Sequence, residues 1–169
     1  MTPRLSLPLA VLLSLTAGAL AYFIYYGQWF PPQVAVRFTS AGDPYEWMDR
    51  IKFIVIGTSV SFMLPPFVVA LIGVLPRALP VSVLSLPNKQ YWLVPERREA
   101  TLTRLLNFGL WFGCLLQAFL LAGWVLIGRS NPAGQMAHAV PGQSALAAGF
   151  LVAVVVFVYR MNRAFARTQ

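Results

Sequence analysis

The chain has 169 residues, 58% of them hydrophobic and only 11% charged, with a mean hydropathy of +0.67. Ordinary soluble domains carry about a quarter charged residues, so that class is excluded, and the single cysteine, Cys114, excludes an intrachain disulfide. The net charge of +8 does not describe a nucleic-acid surface: the basic residues stand at the ends of apolar runs, where they set topology and meet anionic headgroups.

Four apolar stretches, near 5–26, 53–75, 105–127 and 140–159, each have the length of about 20 residues that a helix needs to cross a hydrocarbon core of ~30 Å. Backbone amides in lipid must be satisfied internally, and the alternating segments of about ten residues that a closed barrel requires are absent. The sequence therefore predicts an all-α membrane protein: one domain over 1–169 with four transmembrane helices. Arg4, Arg77, Lys89, Arg97, Arg98, Arg104, Arg160, Arg163 and Arg167 fall on one side of these spans; Arg37, Arg50, Lys52 and Arg129 fall on the other. Basic residues accumulate on the cytoplasmic side, which places both termini there.

The first span imitates a signal peptide, with Arg4, an apolar core and Ala19-Leu20-Ala21. Its apolar run continues through Tyr22, Phe23, Ile24, Tyr25 and Tyr26, and with Trp29 and Phe30 these rings suit an aromatic belt, so a retained helix is expected. The outer loop, 28–52, follows. Val34, Val36 and Phe38 alternate with Ala35, Arg37 and Thr39, a strand-like rhythm, and Ser40 to Pro44 supply a turn in which Gly42 is free to take positive φ. With Trp47 as an aromatic anchor, the loop is expected to form a small structured extracytoplasmic cap between helices 1 and 2. Its candidate ligand contacts are Arg37, Phe38, Gly42, Asp43, Pro44 and Trp47. The carboxylates Asp43, Glu46 and Asp49 read as a solvated turn paired with Arg37, Arg50 or Lys52.

In the second span Pro65-Pro66 removes two backbone donors, so a kink or break is expected there, with Thr58, Ser59 and Ser61 available to the freed backbone groups. The basic cytoplasmic loop, 76–104, contains Leu86-Pro87-Asn88-Lys89-Gln90-Tyr91-Trp92-Leu93-Val94-Pro95-Glu96-Arg97-Arg98. Pro95 suits the first position of a helix, Glu96 and Glu99 suit its opening turn, and the helix should run through Leu102, Leu105 and Leu106 into the third span. Asn88, Tyr91, Trp92, Glu96, Arg97 and Arg98 are candidates for lipid or partner contact.

Gly109 and Gly113 on the third span, and Ala145, Gly149 and Ala153 on the fourth, have the spacing that lets membrane helices approach closely, within one chain or in a homo-oligomer. Asn107 and Gln117 are the main polar side chains of the third span and are expected to hydrogen-bond across helices. No Asp, Glu, Lys, Arg or His lies deep in any span, which argues against an ion-coupled transporter. The short loop before the fourth span holds the one histidine, His138, with Asn131, Pro132 and Gly134.

The first loop resembles the defining motif of a bacterial membrane family called domain of unknown function 1648. That motif has a proline, an alternating apolar segment containing a His, then Gly, Pro or an acidic residue, and an aromatic. Pro32, Val34, Val36, Phe38, Gly42, Asp43, Pro44 and Trp47 match it; Arg37 replaces the usual His with a permanent cation. The second loop resembles the segment that often follows, and the likeness covers about 20–125. The same domain is similar to the N-terminal part of Sdp-type immunity proteins, which neutralise a secreted peptide toxin and can sequester a repressor at the membrane. The resemblance implies a bacterial cytoplasmic-membrane protein that recognises a peptide or envelope ligand.

No catalytic motif accompanies these features: H-E-x-x-H, G-x-S-x-G and a Gly-rich phosphate loop are all missing, and one His with one intramembrane Cys does not make a usual metal site. The expectation is a non-enzymatic protein with no cofactor, no metal and no nucleic-acid partner. It would contact membrane lipids and bind a peptide through the outer loop. The alternatives are an accessory subunit of a larger membrane complex and, less favoured, a small transporter built around Pro65-Pro66.

Overall fold

The computed structural model describes residues 6–80, 82–84 and 86–166; Arg4, Leu5 and Arg167 of the sequence reading lie outside them. Four helical segments are long and apolar enough to cross a membrane: Ser6–Trp29, Arg50–Ala78, Pro95–Arg129 and Gln143–Ala166. The first comprises α1 (Ser6–Tyr26) and a 3-10 turn, and the second α2 (Arg50–Val69), a π-helical turn (Ala70–Val74) and α3 (Leu75–Ala78). A short α4 (Lys89–Trp92) precedes α5 (Pro95–Arg129), and α6 (Gln143–Ala166) closes the fold. The expected start of α5 at Pro95, with Glu96 in its first turn, is observed. At 35 residues α5 is about 50 Å long, so its first turns project well beyond a ~30 Å hydrocarbon core.

The chain is not wholly helical. Between α1 and α2, β1 (Gln33–Phe38) and β2 (Pro44–Asp49) form an antiparallel hairpin. The alternation of Val34, Val36 and Phe38 pointed to β1. The partner strand completes it because Gly42 adopts φ +95°, and Thr39 and Asp43 close the turn through an N–H···O=C bond of 2.8 Å. Asp49 ends the hairpin and starts α2, its carboxylate accepting from the backbone N–H groups of Ile51 at 2.9 Å and Lys52 at 3.3 Å.

The core has three clusters along the bundle: α1, α2 and α5 build two of them, one with the help of β1, and α5 with the end of α6 builds the third. At the hairpin end Phe23, Phe30, Val34 and Phe53 are buried, with Tyr22, Met48 and Trp124 packed on them. Rings of Phe23, Phe53 and Trp124 meet edge to face at 5.7–6.0 Å. Leu12, Val69, Leu110 and Cys114 fill the middle; Leu102, Leu105 and Phe165 fill the opposite end.

Gly109 and Gly113 do admit a neighbouring helix: a Cβ on Gly109 would lie 3.3 Å from the Val69 carbonyl oxygen, and one on Gly113 2.7 Å from Val69 Cγ2. That face is occupied inside the chain. Ala145 and Gly149 depart from the expectation, being exposed, with nothing within 4 Å of a Cβ placed on Gly149. Aromatic rings join α6 to α5 instead, in pairs Phe119–Phe150 (4.1 Å), Phe112–Phe157 (5.1 Å) and Phe108–Phe157 (5.9 Å). The contact between the two helices runs through these rings and not through Ala145 or Gly149.

The prolines do not break the second span. The α-helix continues through Pro65 and Pro66 to Val69, and the irregularity comes one turn later, where the Leu75 N–H donates to the Ala70 carbonyl across a π turn. Within that turn Gly73 is buried, and a Cβ there would sit 2.7 Å from Leu106 Cα. Ser61 does not turn its hydroxyl to the backbone alone: it accepts the Trp124 indole N–H at 2.9 Å.

Gln117 contradicts the expectation of a cross-helix hydrogen bond. It is fully buried at mid-span, yet neither its amide nitrogen nor its amide oxygen has a hydrogen-bond partner among the described residues. Its level in the bundle is bracketed by its neighbours on α5: Trp124 meets Ser61 and Gly113 meets Val69 on α2, so Gln117 falls near the level of Pro65.

Candidate functional site

Two polar structures cap the helices, one at each end. At the first end the hairpin is clamped to the loop after α5 by one side chain. Asn131, nearly fully buried, accepts from the Ala35 N–H at 2.7 Å and donates to the Ala35 carbonyl at 2.9 Å, a pairing a strand would make. Its second amide proton goes to the Ile127 carbonyl at 2.9 Å, so its hydrogen-bonding capacity is used on the fold. Ser130 organises the same loop: its hydroxyl accepts from the Val140 N–H at 3.1 Å, and its carbonyl accepts from the His138 N–H at 3.0 Å. His138 is thereby set under the hairpin turn, with its ring where a Cβ on Gly42 would go, and the Ala139 N–H donates to the Gly42 carbonyl at 3.0 Å.

The six residues singled out in this loop play unequal parts. Arg37 is exposed and pairs across the strands with Glu46 at 3.0 Å. Trp47, opposite Ala35, is 48% exposed, and Tyr45 two positions earlier is 59% exposed. Asp43 is exposed in the turn, its N–H donating to the Thr39 hydroxyl at 3.1 Å. Phe38 and Pro44 are half-buried and pair at the mouth of the hairpin. Gly42 is buried, and its need for glycine comes from the turn and from His138.

The second cap folds back on the end of α6. Asn88, at φ +53°, donates its side-chain amide to the Ala166 carbonyl at 2.9 Å, and the Trp92 indole N–H reaches the Phe165 carbonyl at 2.7 Å. Helix C-termini leave carbonyls without intrahelical donors, and these two side chains supply them. The Thr101 hydroxyl donates to the Trp92 carbonyl at 2.8 Å, tying the loop to α5, while the Arg104 guanidinium lies 5.7 Å from the Trp92 ring. Arg97 stacks 4.0 Å over Tyr91. Arg98 reaches only the Arg77 carbonyl, at 3.5 Å, and its Nε is buried without a partner among the described residues. Glu96 is exposed. Asn88 and Trp92 are thus spent within the chain, while Lys89, Glu96 and Arg97 face outward.

The sequence reading named Asn131 only as a neighbour of His138 and did not single out Phe165, so the part each plays in holding a cap in place escaped it. The signal was present for one of them: Asn131-Pro132 is a turn-forming pair, and Asx side chains often mimic backbone. Among the described residues no group of three His, Cys, Asp or Glu side chains comes together. Cys114 is buried, with its thiol 3.2 Å from the Pro8 carbonyl.

No protein-family model, no curated protein and no solved structure matches this chain.

Proposed function

We propose that this is a non-enzymatic protein of the bacterial cytoplasmic membrane, with both termini in the cytoplasm, that recognises a peptide or envelope ligand through its hairpin cap. The observation that carries this reading is the contrast within the cap. Its backbone is fixed through Asn131 and the buried Val34 and Ala35, while Tyr45, Trp47 and Arg37 project outward from it. Aromatic and arginine side chains on a rigid support are what binding surfaces favour, because little conformational freedom is lost on contact. The nine-to-four division of basic residues supports the orientation, and the loop's likeness to the immunity-protein domain supports a secreted peptide as ligand.

A photocrosslinking amino acid at position 47, in cells of the producing organism, tests the reading. A discrete peptide or protein adduct that vanishes in an Arg37→Ala, Tyr45→Ala background is the expected result. Adducts to lipid alone would refute it.

One observation favours the accessory-subunit reading. Along α6 only Phe165 is buried, and Leu151, Val152, Val155 and Tyr159 are all exposed. A helix so little engaged by its own chain has room for a neighbour. Stoichiometric recovery of a membrane partner in gentle detergent, lost when Val152 and Val155 become Trp, would favour it over the hairpin.

A further inference from the structure

Beyond the hairpin, the same end of the molecule carries a second recess, between the end of α1 and the end of α5. It measures about 360 Å³, within the range of ~300–1,000 Å³ of small-molecule sites, and Tyr22, Tyr26, Trp29, Phe30, Gly128 and Arg129 form most of its wall. Its floor is tight. A side chain at Gly128 would run into the Tyr22 hydroxyl and lie 3.2 Å from the Phe30 ring. Its walls are aromatic, with Tyr22 5.1 Å from Tyr26 and 6.3 Å from Phe30 between ring centroids.

The polar atoms of the recess decide what it would take. Asn131 lines it, but both its amide protons are committed to the Ala35 and Ile127 carbonyls. The Tyr22 hydroxyl donates to the Trp124 carbonyl at 3.1 Å. What remains is Arg129, exposed at the rim with no ion pair or hydrogen bond among the described residues, together with the exposed Tyr26 and Trp29. The uncommitted side-chain handles are thus one cation, one indole donor and one hydroxyl that can both donate and accept. Among the described residues no carboxylate lines the recess, and at this end of the molecule Glu46 is paired with Arg37 and Asp49 with the start of α2. A cationic ligand would find aromatic faces but meet the Arg129 charge, so the recess selects against it.

We propose that this recess binds the phosphate and glycerol region of one phospholipid from the surrounding bilayer. Arg129 pairs with the phosphodiester, the Trp29 indole and Tyr26 hydroxyl donate to its oxygens, and the acyl chains leave along the lipid-facing sides of α1 and α5. The position suits it: aromatic side chains gather at the depth where headgroup meets hydrocarbon, and an arginine at that depth can pair with a phosphodiester through charge-assisted hydrogen bonds. Tyr25, Tyr26 and Trp29, each at least half exposed, mark that depth.

The test uses the full chain, expressed and extracted in a mild detergent, with native mass spectrometry counting bound phospholipid before and after exchange into nanodiscs of phosphatidylethanolamine and phosphatidylglycerol. One phospholipid should remain on the wild-type protein at activation energies that strip the rest. Arg129→Gln should lower that retention at least fivefold, and Trp29→Ala should lower it too. Lys52→Gln, which removes an exposed cation of the same end outside the recess, should leave it unchanged. Retention equal in wild type and Arg129→Gln, an equal loss with Lys52→Gln, or a wild-type protein that keeps no lipid would each overturn the proposal.

Discussion

Replacing Gln117 by Met should make the protein more stable. The side chain is fully buried in the middle of the bundle, and its amide has two polar atoms without a partner among the described residues. Each such group carries a desolvation cost of roughly 1–3 kcal/mol by mutational measure. In a membrane, separated helices also find partners for their polar groups, and measured interhelical hydrogen bonds average only ~0.6 kcal/mol, so the gain is smaller than the aqueous sum. Methionine preserves the length and unbranched shape of glutamine, which leaves packing little changed. The net expectation is a stabilisation of about 1–2 kcal/mol, read as a shift in unfolding by SDS titration or steric trapping in bicelles. A destabilisation of the same size would refute the reasoning. It would mean that the amide is satisfied by an internal water or by a bond the packing here does not contain, and that removing it breaks something.

Three further outcomes test other parts of the fold. Asn131→Ala strands the Ala35 N–H and carbonyl, and should cost about 2–4 kcal/mol and raise exchange of the Ala35 amide at least tenfold in hydrogen–deuterium measurements, with the helices protected as before. Gly73→Ala places a methyl group against Leu106 backbone and should destabilise by about 1–3 kcal/mol, whereas Gly149→Ala, with open surroundings, should be within ~0.5 kcal/mol of wild type by the same SDS titration. Trp92→Phe keeps the ring against Phe165 but loses the donor to its carbonyl; it should cost about 1 kcal/mol and speed exchange only in the last turn of α6.

The four spans were legible because hydrophobic length is a property of the chain alone, and the start of α5 was legible because Pro95 and Glu96 carry a local signal. β1 could be read from its alternation and the turn from Gly42. β2 was readable in principle, since Tyr45 and Trp47 are strand-forming residues on the far side of that turn, but a two-stranded sheet carries little sequence signal. The features that decide the two caps were not legible. That Asn131 would turn to Ala35, or Trp92 to Phe165, depends on which helix ends lie together, and composition does not specify that. The same holds for the small residues: identical spacing serves α5, which has close neighbours, and is idle on α6. Pro65-Pro66 does not interrupt the helix, since a helix held on its neighbours tolerates lost donors, and the π turn lies beyond it at Ala70–Val74, where buried Gly73 lies against Leu106.

The Asn131 clamp also carries a schedule. It joins positions 96 residues apart. A chain made from its N-terminus inserts α1, the hairpin and α2 well before position 131 leaves the ribosome. Until then the Ala35 edge of β1 is an unpaired strand edge, the kind of surface to which a foreign strand can add. The turn after α5 closes that edge, so a late step in building the cap is also its protection, and a chain stopped short of Asn131 keeps the vulnerable edge for good.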